Sequence, residues 1–238
     1  MPDSKKTKIK EAKNKMELLE TIKSRRSIRA YKPDQVPREI LTELLEVARW
    51  APSGSNTQPW EFIVLAGETL GELNRAMIER LHSGKMKPEP DEDMPFSFPT
   101  GLYKERSAKF YKKVLAVIKM QEWYEKSMSF FDAPAAIIIV TDKSAPQPWW
   151  LFDIGLISQT IALTAQNYGL GTCMVGHPAA YPKEVRTVLN IPESKRIVVG
   201  IAIGYPDWDH PLNSLRTERE PVEKLVTWRG MAEEEEKK

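Results

Sequence analysis

Arg25-Arg26-Ser27-Ile28-Arg29 is the stretch from which the rest of the chain is best read. It places three guanidinium groups and a hydroxyl within five residues, after a helix-like run at Met16–Ile22 and before Pro33. A guanidinium presents a planar fork of donors that suits phosphate, and a serine hydroxyl adds one more. In extended backbone residues 25, 27 and 29 share a side, so one anion can meet several of them. Taken alone, the run also reads as a solvated basic turn.

A second stretch, Ala51-Pro52-Ser53-Gly54-Ser55-Asn56-Thr57-Gln58-Pro59-Trp60, leads into Glu61-Phe62-Ile63-Val64-Leu65. A Ser/Gly/Asn loop between prolines offers backbone N–H groups, hydroxyls and an amide in a tight turn. The β-branched and aromatic run after it predicts a strand that holds the loop. An ordinary helix-to-strand turn has the same composition.

Between and beyond these stretches the periodicity predicts alternating helices and strands. A short helix covers 16–23. After Pro37, Arg38–Trp50 carries Leu41, Leu44, Leu45 and Ala48 at helical spacing. A helix over Leu70–Leu81 follows Gly67. Ala135–Val140 is a continuous apolar run suited to a strand buried on both faces. Lys143–Trp150 reads as a loop, and Asp153–Tyr168 as a helix apolar nearly all round, closed by Gly169. Such a helix must be buried, and burial between two subunits suits it. Gly169–Gly176 is strand-like from a glycine pair, 183–190 is a short helix, Arg196–Gly204 is a strand, and Pro211–Trp228 is extended.

Residues 82–130 differ in character. Pro88, Pro90, Pro95 and Pro99 with Asp91-Glu92-Asp93 make a loop-rich stretch, and Tyr103–Trp123 returns to a basic and aromatic helix. This segment reads as an insertion into a single domain of residues 16–230. Its Phe110, Tyr111, Trp123 and Tyr124 either form a lid over a flat acceptor or pack the insertion onto its own domain. Residues 1–15 form a basic tail and 231–238 an acidic one, both read as solvated and disordered.

Composition excludes several classes. At 238 residues, 41% hydrophobic and 29% charged, the chain suits one globular domain. A net charge of +2 gives no argument for nucleic acid, and no run is long enough to span a bilayer. The single Cys173 permits no intrachain disulfide and suits a cytoplasmic setting. His82, His177 and His210 are scattered, so no metal site is expected. There is no nucleophile elbow, no phosphate loop ending in Gly-Lys-Ser/Thr, and no dinucleotide fingerprint.

The two opening motifs, in this order and interval, resemble the flavin-dependent nitroreductase family. The likeness extends to Phe130-Phe131-Asp132-Ala133-Pro134-Ala135, Asp153-Ile154-Gly155, Gly169-Leu170-Gly171-Thr172-Cys173, Ile201–Pro206 and Arg216–Pro221. It implies an α+β fold, with a mixed, mainly antiparallel sheet among helices, and an intertwined homodimer with FMN at the interface. The implied reaction is ping-pong: NADH or NADPH reduces FMN and leaves, and a small nitroaromatic or quinone-like acceptor follows.

Carried onto this sequence, the resemblance implies that Arg25, Ser27 and Arg219 bind the FMN phosphate, with Arg26 beside them. Arg29 would lie by the flavin N1–C2 carbonyl edge, where a cation stabilises the charge that hydride transfer leaves. Pro52, Ser53, Ser55 and Asn56 would line the flavin from the neighbouring subunit. The turn Val175-Gly176-His177 would present a backbone donor to flavin N5, with His177 lining the site through its backbone. Arg216 fits the motif too, a surface arginine being the alternative. No side chain need act as acid or base. The Pro211–Pro221 run resembles the nitrobenzoate-reductase branch. Two alternatives are a reductive dehalogenase similar to iodotyrosine deiodinase and a non-catalytic flavin-binding module. The deiodinase pattern has His-Thr-Glu-Pro-Trp where this chain has Asn56-Thr57-Gln58-Pro59-Trp60.

Overall fold

The computed structural model describes residues 17–85, 87–94, 97–146 and 148–230, so the two charged tails lie outside the described residues. The fold is α+β. In chain order the helices are α1 (Leu18–Ser24), α2 (Arg38–Ala48), α3 (Gly67–His82), α4 (Gly101–Leu115), α5 (Met120–Met128), α6 (Trp149–Gln166), α7 (His177–Ala180), α8 (Pro182–Leu189) and α9 (Pro211–Ser214). The strands are β1 (Glu61–Ala66), β2 (Ala135–Asp142), β3 (Gly171–Val175) and β4 (Lys195–Gly204).

The strands form one sheet of order β1-β2-β4-β3 in which every pairing is antiparallel. A parallel bridge from Ser27 to Thr172 then adds the arginine stretch to the free edge of β3, which makes the assembly mixed. β2 shows why the sheet has two covered faces. Its Ala136, Ile138 and Val140 join one buried cluster while Ala135, Ile137 and Ile139 join the other. Successive side chains of a strand point to opposite faces, so an unbroken apolar run fits a strand with no wet side. α3, α5 and α8 cover the first face and α2 and α6 the second.

Two glycines let the arginine stretch dock here. Gly169 has φ +70°, and the N–H groups of Leu170 and Gly169 bond to the carbonyls of Ala165 and Gln166. That is the left-handed closure a glycine permits at a helix end, and it turns the chain from α6 into β3. At Gly171 a Cβ would stand 2.4 Å from Ile28 Cγ1 and 2.9 Å from Pro206 Cγ. Only a residue without a side chain lets Ile28 lie this close to β3.

Three expectations about the elements need correction. The segment read as extended over Pro211–Trp228 opens with the short helix α9, with Pro211 in its first turn, and holds a second helical turn at Val222–Lys224. Residues 149 and 150 belong to α6, not to the loop before it. Pro148 stands just ahead of the first helical residue, and Trp150 is buried with its ring under the Arg196 guanidinium, 5.1 Å away. The helix expected over Tyr103–Trp123 is two helices, broken at 116–119; Val114 at the end of the first and Ile118 in the break both turn to the core. Val114, Ile118, Trp123 and Met128 all join the first-face cluster, with Phe110 and Tyr111 packed against it. The 82–130 aromatics therefore pack onto the domain's own core.

The approach to α4 is strapped down by charge. Glu89, Asp91 and Asp93 pair with the buried Arg80, Arg186 and Arg196 respectively. Among the described residues, no helix is long and apolar enough to cross a membrane.

Candidate active site

The edge of the sheet assembles the arginines. Ile28 N–H donates to Thr172 O at 2.9 Å, which fixes the register of the stretch along β3. Cys173, buried on β3, meets the result. Its thiol donates to Met174 O at 3.7 Å, with Ser27, Arg29 and Arg25 close enough to act on it electrostatically. Burial, opposed by these groups, pushes the thiol's pKa up, so Cys173 is a small packed residue and no nucleophile. Residues 25, 27 and 29 thus converge as the period of two requires.

Arg219 joins them. Arg25 has its pKa lowered first by burial and then by the Arg219 charge, so the two guanidinium groups are near enough to repel one another. Arg26 is lowered in the same way, by burial and then by Arg216. Among the described residues, none of Arg25, Arg26, Arg29, Arg216 and Arg219 forms an ion pair. The buried Nη1 of Arg26 has no hydrogen-bond partner. Like charges brought together without a counter-ion raise the energy of the empty site, and a dianion would relieve it. The FMN phosphate fits this donor set.

Arg26 departs from its neighbours. Its guanidinium stacks 5.1 Å over the Trp208 ring. With Ser24, Gln166 and Trp208 it lines a cavity of about 280 Å³ at the end of α6. Arg216 donates to the Asn213 and Leu215 carbonyls at 2.9 and 3.1 Å, and Arg219 to the Thr217 hydroxyl at 2.9 Å. Both are exposed, yet each stands near a partly buried arginine of the cluster.

Arg29 is held from several directions. Its backbone N–H donates to Asn213 Oδ1 at 2.7 Å, and its guanidinium donates to Ser27 O at 3.3 Å. Asn213 is 2% exposed, and its amide also donates to the carbonyls of Ala30 and Asp207 at 2.8 and 2.7 Å. This asparagine pins the arginine stretch to the C-terminal segment. Asn213 lies within the Pro211–Pro221 run, whose resemblance implies roles for Arg216 and Arg219 and none for it.

The loop of Pro52, Ser53, Ser55 and Asn56 lies elsewhere within the chain. Ser55, Asn56 and Gln58 adopt φ of 51°, 57° and 46°, the left-handed region. Gly54 N–H donates to the buried Asp153 carboxylate at 3.1 Å, and Gln58 N–H to Ser53 Oγ at 2.9 Å. Asp153 stands near the start of α6, whereas Gln166, beside the arginine cluster, is its last residue. Thirteen residues of helix separate them, about 20 Å. One chain does not bring this loop to its own arginines.

Val175 ends β3, Gly176 is exposed, and His177 begins α7. The His177 ring turns inward, bonded through Nε2 to Ser127 Oγ and stacked on Tyr181 at 6.2 Å. Burial lowers its pKa to about 4. The sign follows from where the unfolded chain takes up its proton. Above pH 6.5 both states hold a neutral ring and the stability is intact. Between pH 6.5 and about 4 only the unfolded chain protonates, so stability falls on acidification, by about 2 to 3 kcal/mol for this group. Urea unfolding at pH 7 and pH 4.5 is expected to show that loss, and His177→Gln to reduce it. An unchanged acid slope in the variant would contradict the assignment.

A family model described as "Nitroreductase family" matches residues 22–205. The chain is 35% identical over 221 residues to the 4-nitrobenzoate reductase of Nocardioides sp., covering 87% of each protein. It is 32% identical over 220 residues to that of Pseudomonas putida, covering 88% of this chain and 94% of the relative. The FMN-dependent nitroreductase NfnB from Mycobacterium smegmatis, solved in complex with NADPH, superposes with TM-score 0.81 at 26% identity. That match covers 93% of this chain and 99% of NfnB. An iodotyrosine deiodinase from Thermotoga neapolitana is more distant, 28% identical over 202 residues.

Proposed function

This chain belongs to the nitroreductase family, and from that membership we propose that its unpaired guanidinium set is the FMN phosphate site of an NAD(P)H-dependent nitroreductase. The protein is an FMN-dependent oxidoreductase with NAD(P)H as reductant, and its acceptors are small nitroaromatic compounds. The observation that carries the site is the buried Nη1 of Arg26, left without a hydrogen-bond partner in a cluster of arginines that form no ion pair among the described residues. FMN, when bound, supplies the hydride relay between nicotinamide and acceptor.

The chain's own residues bind and orient. Arg25, Ser27 and Arg219 meet the phosphate, and Arg29 offers a fixed cation to the ring edge where negative charge gathers. The exposed Gly176 leaves backbone accessible at the end of β3. The neutral, inward-turned His177 carries no proton to or from the acceptor. Pro52, Ser53, Ser55 and Asn56 reach the flavin from the partner subunit in this reading, since α6 sets their anchor Asp153 about 20 Å along its axis from Gln166 beside the arginines.

An unpartnered apolar face supports the homodimer. Leu18, Leu19 and Ile22 of α1, Val47 of α2, and Trp149, Leu151 and Phe152 of α6 are all exposed. α1 and α2 both pack against α6, so these residues lie around one helix. A second copy covers that face in this reading. The two apolar surfaces then bury one another and bring each loop to the other chain's arginines.

The test is steady-state oxidation of NADPH and of NADH by the FMN-loaded protein, with and without 4-nitrobenzoate. Acceptor-dependent consumption is expected, with the nitro group taking two electrons and two protons and releasing water per turn. Tightly bound FMN without acceptor-dependent turnover would instead make the protein a flavin-binding module.

A further inference from the structure

Helix α5 carries two side chains, one turn apart, that reach the two groups assigned to the flavin ring. Trp123 and Ser127 are both buried and stand four residues apart, so they share a face of the helix. Above Trp123 lies the Arg29 guanidinium, 5.4 Å from the ring centroid. Phe110 of α4 and Phe131 present their rings to the same guanidinium at 5.2 and 6.0 Å. The three rings brace one another edge to face, Trp123 at 5.9 Å from Phe110 and 5.4 Å from Phe131. Ser127, one turn on, bonds to the His177 ring.

An aromatic face attracts a cation, and more strongly where water is excluded. A long arginine side chain otherwise samples many rotamers, and aromatic rings on several sides restrict it. Arg29 has no carboxylate partner, so this aromatic cage and the Ser27 carbonyl are what fix its guanidinium.

We propose that α5 is a positioning element for the flavin: Trp123, with Phe110 and Phe131, holds the Arg29 guanidinium at the ring edge, and Ser127 holds the His177 turn. The 82–130 segment thereby tunes the cofactor through Arg29, a role distinct from covering the acceptor. None of these positioning residues need touch the flavin. The inference rests on the placement of Arg29 by the ring given above.

The test is the midpoint potential of bound FMN in wild type, Arg29→Gln, Trp123→Leu, Ser127→Ala and the Arg29→Gln/Trp123→Leu double variant, with FMN content measured in each. Loss of a well-placed cation disfavours charge on the reduced ring. Trp123→Leu is therefore expected to weaken the relative stabilisation of the reduced form about tenfold, roughly 30 mV for a two-electron couple. Ser127→Ala should move the potential the same way by less, and FMN content should stay near normal. The double variant should match Arg29→Gln alone, because the tryptophan acts through the arginine. A change in thermal stability with an unmoved potential would make α5 a packing helix and overturn the proposal. Should Arg29→Gln itself leave the potential unmoved, the placement of Arg29 fails and the proposal with it. Phe110→Leu, at a half-buried position, gives the same readout if Trp123→Leu does not fold.

Discussion

Arg25→Ala is expected to lower FMN affinity by one to two orders of magnitude while the protein still folds. Arg25 is partly buried at the edge of the sheet, feels the Arg219 charge, and has no anionic partner among the described residues. Its removal deletes a charge-assisted bond to a phosphate in a partly desolvated site, worth about 1.5–3 kcal/mol. The same change relieves the repulsion from Arg219, so the empty protein should not lose stability and can gain some. Arg219→Ala should act in the same direction with a smaller effect, because Arg219 is exposed and screened. Fluorescence titration of the flavin-free variants with FMN reads both. Wild-type affinity in Arg25→Ala would move the phosphate away from this cluster.

Phe152→Asp is expected to convert the proposed dimer to a monomer and to strip FMN from it. Phe152 is 61% exposed on α6, next to Leu151 and near Trp149. Burying a phenylalanine side chain stabilises an interface by about 1.5–3 kcal/mol. A two-fold interface counts each substitution twice, so the dimer should weaken by roughly 3–6 kcal/mol, before the cost of burying a carboxylate. FMN should leave with the partner, because in the proposed dimer the Pro52–Asn56 loop that completes the site comes from the other chain. Sedimentation combined with the flavin absorbance separates the outcomes. A monomer that keeps FMN tightly bound would show that one chain makes the whole site.

Much of this was legible in the sequence because the deciding signals are local. The unbroken apolar run Ala135–Val140 marks a strand covered on both faces, and the structure divides its residues alternately between two clusters. The 25, 27, 29 alternation likewise places three side chains around Cys173. What escaped the sequence was long-range. Trp149 and Trp150 follow a proline pair and look like loop, yet burial of Trp150 beneath Arg196 extends the helix back to them. Asn213 acts on Arg29 across 184 positions, and no local pattern announces that pairing. The aromatics of 110–124 looked the same whether destined for a lid or a core. Only the tertiary structure shows them packed on the core with Arg29 among them. The separation of the 52–56 loop from the arginines is set by the length of α6, which a motif scan does not measure.

The most direct measurement of the account is an anaerobic stopped-flow experiment on the FMN-loaded protein in two halves. NADPH added alone should bleach the flavin absorbance, and 4-nitrobenzoate added after the nicotinamide is consumed should restore it. Both rates should be fast enough to sustain steady-state turnover, and Arg29→Gln should slow the first half more than it weakens FMN binding. A flavin that NADPH and NADH both fail to bleach, or one that bleaches but is not restored by any nitroaromatic acceptor, would contradict the assignment.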